Sequence, residues 1–249
     1  MKLANGIFLG ALAVCAIAIG ARSLPASALP THRVNVEAVL GVEQLDGKVS
    51  KYPRSLSEYG FFLDAAGREP DARVIPYELN TPLYSDGADK LRYIFLPEGA
   101  TMTDTGEGGL LDLPVGSAII KTFAFGGGED QLYIETRLLL HRADGWLALP
   151  YKWNEEQTEA KLALVGARME LTRPDGETIS YQVPNKNQCK QCHVKHDVVT
   201  PIGPKSRNLS RGWLAAQASA GRIEALPAIH DTVPQWEGRA HNSDKEALA

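Results

Sequence analysis

The alternation of apolar and polar positions divides the chain into a leader, a strand-rich middle and a polar tail. Ile7 to Ile19 runs thirteen residues without a charge, with Lys2 before it, Arg22 after it and small residues at Ala26-Ser27-Ala28. That layout predicts a secretory signal peptide over residues 1–28. The run is shorter than the roughly 20 apolar residues of a membrane span. The alternatives are an uncleaved N-terminal anchor and lipidation at Cys15, for which Val14 is a bulky preceding residue. Residues 29–50 have no clear period and read as a lead-in linker.

From residue 51 to 184 the pattern is that of strands. Leu56 to Leu63 predicts a short helix ending near Gly67. Pro70 to Pro97 is broken by Pro76, Pro82 and Gly87 and predicts loops and short strands, with Leu91–Leu96 as one strand. Ser117–Phe125 and Gln131–His141 flank Gly126-Gly127-Gly128 and predict a hairpin. Gly145–Pro150 follows a turn at Ala143-Asp144. Ala163–Leu171 and Thr178–Val183 flank Pro174-Asp175-Gly176 and predict a second hairpin. The expected fold is α+β, mainly β: an antiparallel sandwich-like or barrel-like domain over 51–184, followed by a small loop and helix segment over 185–249. In that segment a helix is predicted over 209–223, with Ser210 as N-cap. Residues 226–249 read as extended, with a frayed end.

Composition narrows the function. The chain has 249 residues, 26 Lys plus Arg against 30 Asp plus Glu, and a net charge of −4. An acidic chain lacks the electrostatic term that drives nucleic-acid binding. Removing residues 1–28 takes away Lys2, Arg22 and Cys15. The remaining cysteines are Cys189 and Cys192, in a compartment where free thiols become oxidised or occupied.

Those two cysteines lie in Cys189-Lys190-Gln191-Cys192-His193. C-x-x-C-H is the attachment sequence of c-type haem. Two thiols at this spacing each form a thioether to one haem vinyl group, and the adjacent imidazole ligates the iron. The expected cofactor is one covalent haem c, held by Cys189, Cys192 and His193, with His193 as axial ligand. A leader and this motif agree, since such haem is attached outside the cytoplasm. The alternatives are a redox-active or structural disulfide, or a zinc site using His193 and His196. For the opposite side of the iron, His230, His241, Met102, Met169 and His141 are candidates, and an open sixth position is the other option.

The loop after the motif, Thr200-Pro201-Ile202-Gly203-Pro204 with Leu209 beyond, resembles the Gly-Pro-x-x-x-Leu stretch of class I cytochromes c. That resemblance implies that the Pro204 carbonyl, or that of Pro201, accepts a hydrogen bond from the proximal imidazole. More broadly, several segments resemble an uncharacterised bacterial family of exported proteins carrying C-x-x-C-H. They include Val74–Asp86 (VIPYELNTPLYSD), Tyr151–Ala160 (YKWNEEQTEA), Val183–Cys189 (VPNKNQC) and Pro201–Leu209 (PIGPKSRNL). The resemblance implies a β-rich domain leading into a haem segment and membership among c-type cytochromes. Longer members continue into a second C-x-x-C-H, which this chain lacks, so it reads as a short form or a truncated gene product.

Six cations, Lys186, Lys190, Lys195, Lys205, Arg207 and Arg211, stand against Asp197 alone between residues 185 and 213. Around an exposed haem edge they would steer an acidic redox partner. The expectation is therefore a periplasmic or secreted monohaem electron carrier rather than a catalyst, with no membrane span once the leader is removed. A haem enzyme or gas sensor with an open distal site is the alternative, as is a β-domain ligand-binding module with a haem tether. The Asn80, Tyr84, Ser85 and Asp86 loop and the Glu155, Glu156 and Glu159 cluster read as turn networks before they read as sites.

Overall fold

The computed structural model describes residues 34–41, 52–128, 131–173, 176–228 and 232–235. The expected signal peptide, most of the lead-in, the Pro174-Asp175 turn, His230 and His241 lie outside them. The strands in chain order are β1 (Val74–Pro76), β2 (Asp89–Phe95), β3 (Thr103–Asp104), β4 (Leu111–Asp112), β5 (Ala118–Phe125) and β6 (Leu132–Arg142). They continue with β7 (Gly145–Trp153), β8 (Ala160–Leu162), β9 (Ala167–Thr172), β10 (Thr178–Val183), β11 (Val194–Lys195) and β12 (Val198–Val199). The helices are α1 (Val36–Leu40), α2 (Lys186–Cys192) and α3 (Arg211–Ser219). Among the described residues no helix is long and apolar enough to cross a membrane.

The structure is mainly β and antiparallel, as expected. Six strands form one open sheet in the order β1-β2-β5-β6-β7-β8, and β3-β4, β9-β10 and β11-β12 are separate two-stranded ribbons. The expected hairpin across the glycine turn is β5-β6, and the expected second hairpin is β9-β10. The predicted helix at 56–63 is a single 3-10 turn, Leu56–Tyr59, closed by Gly60 in the left-handed region. The helix predicted over 209–223 begins where expected, with the Ser210 side chain accepting from the Trp213 N–H, but ends at Ser219. Helices α1 and α2, strand β8 and the β3-β4 and β11-β12 ribbons were not expected.

The two central strands are buried on both sides. On one side Tyr93, Phe95, Ile120, Leu138, Leu149 and Tyr151 pack with α1, the 3-10 turn and Phe61. Tyr59 and Phe61 stack at 5.3 Å, and the Tyr151 hydroxyl donates to the Pro53 carbonyl at 2.8 Å. On the other side Ile94, Ile119, Leu139 and Ala148 pack with Met102, Leu111, Cys189, Leu209, Leu214 and Ile223. The tail therefore covers the sheet's second face and shares its core, rather than hanging from it as a tether. The described residues all fall in one compact unit. A β-bulge at Phe123/Ala124 shifts the β5-β6 register, and beyond it Phe123, Phe125 and Ile134 receive Tyr181 and Val183 of the β9-β10 ribbon.

Leu214 on α3 is fully buried against that second face. Leu214→Ala is expected to cost about 2–5 kcal/mol. In urea unfolding, tryptophan fluorescence and far-ultraviolet circular dichroism should move together to a lower midpoint. A fluorescence shift with the sheet transition unmoved would show that the tail is not part of the core.

Candidate functional site

The C-x-x-C-H residues lie on α2, and its start is set locally. Asn185 accepts from the Gln188 N–H at 2.8 Å, while the Gln188 side chain accepts from the Asn185 N–H at 2.9 Å. This reciprocal box satisfies two N–H groups that a helix start leaves open. The Lys186 N–H reaches back to the Leu164 carbonyl at 3.0 Å. Gly166, at φ +74°, lets the chain pass so closely that a Cβ there would stand 2.6 Å from the Val183 carbonyl oxygen. The helix is thereby pinned to the turn before β9.

Positions i, i+3 and i+4 share one helix face. Cys189 is buried against the sheet, Cys192 is exposed and His193, the helix C-cap, is half-buried. Both thiols are free. The three expected ligating residues are thus brought together. They border a cleft of about 280 Å³ whose other wall is Lys121, Arg137 and Leu139 of β5 and β6.

Immediately after His193 the chain doubles back. Val194 pairs with Val199 and Lys195 with Val198, around a two-residue turn at His196 and Asp197, whose φ values are 52° and 62°. Two left-handed residues make the tight turn that matches the twist of a ribbon. The ribbon sets Thr200 opposite His193: the Thr200 N–H donates to the His193 carbonyl at 2.5 Å, and the imidazole Nδ1 lies 3.3 Å from the Thr200 carbonyl oxygen. Here the structure departs from the role expected of Pro204. The Pro204 carbonyl accepts from the Leu111 N–H at 3.0 Å, and the loop from Pro204 to Ser206 is bonded to β4 and Gly109. The shorter path through the ribbon reaches the ring first.

The remaining candidates lie elsewhere. Met102 is fully buried in the core, and Met169 packs within the β9-β10 cluster. His141 stacks on Trp146 at 4.4 Å, with Nδ1 2.6 Å from the Leu113 carbonyl oxygen. His196 is exposed at the turn. Among the described residues no three His, Cys, Asp or Glu side chains are placed to share a metal ion, so the zinc reading gains no support. Asn80 and Thr81 bond to Asn208, Val233 and Pro234 and hold the tail. Glu159 accepts from the Ser57 hydroxyl.

The wall facing His193 was not foreseen. Arg92 of β2 pairs with Lys121, and Lys121 pairs with Arg137, in register across three neighbouring strands. Glu135 is fully buried and binds Arg137 through both oxygens, at 2.5 and 2.9 Å, while the Tyr181 hydroxyl donates to it at 2.7 Å. Burial, helped by Arg137 and Arg92, pulls the Lys121 ammonium down to about 8. Burial, with Arg92, Lys121 and Arg137, pulls Lys90 down to about 7. Burial pushes the Cys189 thiol up. His193 is held down to about 4, first by burial and then by Lys121 and Arg137, with the Thr200 carbonyl opposing. The strand pattern KTFAF reads as apolar alternation; only the register shows that its lysine meets two arginines.

No family model, curated protein or solved structure matches the chain.

A depressed imidazole pKa makes the unfolded chain the better proton acceptor. Stability of the haem-free chain should therefore fall as pH drops from about 6.5 to about 4. His193→Gln should flatten that stretch of a stability–pH curve taken by chemical denaturation. An unchanged slope would place the acid sensitivity in other groups.

Proposed function

We propose that the protein is an exported c-type haem protein that carries electrons. The haem is attached at Cys189 and Cys192, with His193 as its axial ligand. The observation that carries this reading is the arrangement of two free thiols and one imidazole on a single helix face at the edge of a cleft. The donor set fits the group: two sulfurs for two thioethers and one nitrogen for iron. When bound, the haem supplies a one-electron redox change at iron.

The chain's own residues do the rest. Burial and the neighbouring cations keep His193 neutral at physiological pH, the form in which imidazole donates to a metal. Its Nδ1 faces the Thr200 carbonyl, which orients the ring and leaves Nε2 for the cofactor. Packing of α2 on the sheet buries Cys189 while Cys192 stays exposed at the rim of the cleft. The leader pattern favours a periplasmic or secreted location. Lys190 and Lys195, within and just after the motif, are exposed and suit an acidic redox partner. The resemblance to exported c-type cytochromes points the same way.

A second reading, a haem enzyme or gas sensor with an open distal position, is favoured by one observation. Met102, Met169 and His141 are each held by contacts elsewhere in the fold.

Protein from an export-competent host with haem maturation should show a Soret band that survives acid-acetone extraction and a mass increased by one haem. Cys189→Ser with Cys192→Ser should lose both, and a colourless wild-type product would end the proposal. Carbon monoxide added to the reduced protein separates the two readings: a large Soret shift indicates the open site, and an unchanged spectrum a six-coordinate carrier. Electron exchange with an acidic partner should slow as ionic strength rises. Rates indifferent to salt would remove the steering role of the basic residues.

A further inference from the structure

Strand β1 is short, and its end opens a gap at the edge of the sheet. It pairs with Tyr93, Ile94 and Phe95 of β2 and stops at Pro76. The Tyr77 N–H still donates to the Arg92 carbonyl at 3.0 Å. Beyond it, no strand among the described residues covers the outer edge of Asp89–Leu91. The preceding loop turns back there, with Asp86 and Gly87 both left-handed at φ 50° and 78°. The Ala88 N–H closes the turn on the Ser85 carbonyl at 2.8 Å. Between turn and strand lies a cleft of about 330 Å³ that shares no lining residue with the motif cleft. Lys90 is the one amine among the described residues that line it.

The strand places the Lys90 stem, and two contacts place its head. Lys90 pairs with Phe123 of β5, and its nitrogen lies 5.8 Å from the centre of that buried ring and donates to the Leu83 carbonyl. One N–H is thereby used, which leaves the lone pair of the neutral amine available. Burial, then Arg92 on β2, Lys121 on β5 and Arg137 on β6, disfavours the ammonium, while Asp86 in the turn favours it; the outcome is about 7. An amine desolvated beside other cations is the state in which lysine acts as a nucleophile at neutral pH. The Ser85 hydroxyl donates to the Tyr84 carbonyl at 2.8 Å and so presents its oxygen as an acceptor. The Tyr84 hydroxyl and the Gln131 amide add polar lining, and Glu78, Asp89 and Arg92 bring charges of both signs. Such a wall suits hydroxyl groups better than a net charge.

We infer that Lys90 is a covalent capture site for a small neutral hydroxyaldehyde, held in this second cleft as an imine. The Nζ lone pair attacks the carbonyl carbon, and the carbonyl π pair moves to oxygen, which takes one amine proton. Loss of water then breaks the C–O bond and removes the second amine proton, leaving C=N with no net oxidation or reduction. The haem reading is not needed for this step.

The test is reductive trapping of the full-length protein with glyceraldehyde and cyanoborohydride, from about pH 6 to about pH 10, read by peptide mass mapping. At neutral pH Lys90 should gain the reduced adduct at least about tenfold faster than the other lysines, which titrate near the ordinary value of about 10. Its labelling should have a midpoint near 7. Lys90→Arg should lose that adduct and leave labelling elsewhere unchanged. Formaldehyde, which carries no hydroxyl, separates a merely reactive amine from a built site. Tyr84→Phe with Ser85→Ala should slow the glyceraldehyde reaction at Lys90 several-fold and leave the formaldehyde reaction as it was. Labelling of Lys90 at the rate of the other lysines would overturn the capture site. A double variant that affects both aldehydes equally, or neither, would overturn the hydroxyaldehyde assignment. The Cys189→Ser, Cys192→Ser chain should label at Lys90 as the wild type does, so failure of the haem reading leaves this result standing.

Discussion

The structure depends on burying the second face of the central sheet. β5 and β6 are apolar on both sides, so a sheet covered only by α1 and the 3-10 turn would leave Ile94, Ile119 and Leu139 in water. The tail supplies the missing layer with Cys189, Leu209, Leu214 and Ile223. One of those four core residues is a cysteine of the C-x-x-C-H motif. The candidate site and the hydrophobic core therefore overlap, and the chemistry proposed for Cys189 falls on a side chain that also packs.

How much of this was legible in the sequence varies with the range of the interaction. The β5-β6 and β9-β10 hairpins were readable because their turns are punctuated by glycine and their strands by local pattern. The α3 start was readable from Ser210. Helix α2 was passed over because its residues are polar, although Asn185 and Gln188 three positions apart carry a capping signature. The motif itself was plain, and the structure clusters its three residues. Its surroundings were not legible. Arg92, Lys121 and Arg137 are far apart in the chain, and only strand register makes them neighbours. The partner of the imidazole was misplaced for a related reason. A proline loop suggested Pro204, while a hairpin turn at two non-glycine residues, His196 and Asp197, brings Thr200 closer.

The same register creates an electrostatic asymmetry. Glu135 lies completely buried and is held by a guanidinium and a phenol, so one cation of the row is balanced and the adjacent ammonium is not. Moving that imbalance to the surface would cost nothing. Keeping it inside, beside the imidazole, goes with a lowered proton affinity at Lys121 and His193, whereas Glu135 holds that of Arg137 up. This part of the sheet is tuned at the expense of its own cohesion, a pattern more typical of a working surface than of a scaffold.

The β11-β12 ribbon carries a further consequence. The helix that bears the sulfurs, the imidazole and the carbonyl facing it all fall between residues 185 and 200, and the register of two residue pairs in one ribbon relates the ring to its acceptor. Ring orientation is thus encoded in one continuous stretch and not in the meeting of distant loops. The sheet beneath it supplies the packing for Cys189 and the field in which the imidazole sits.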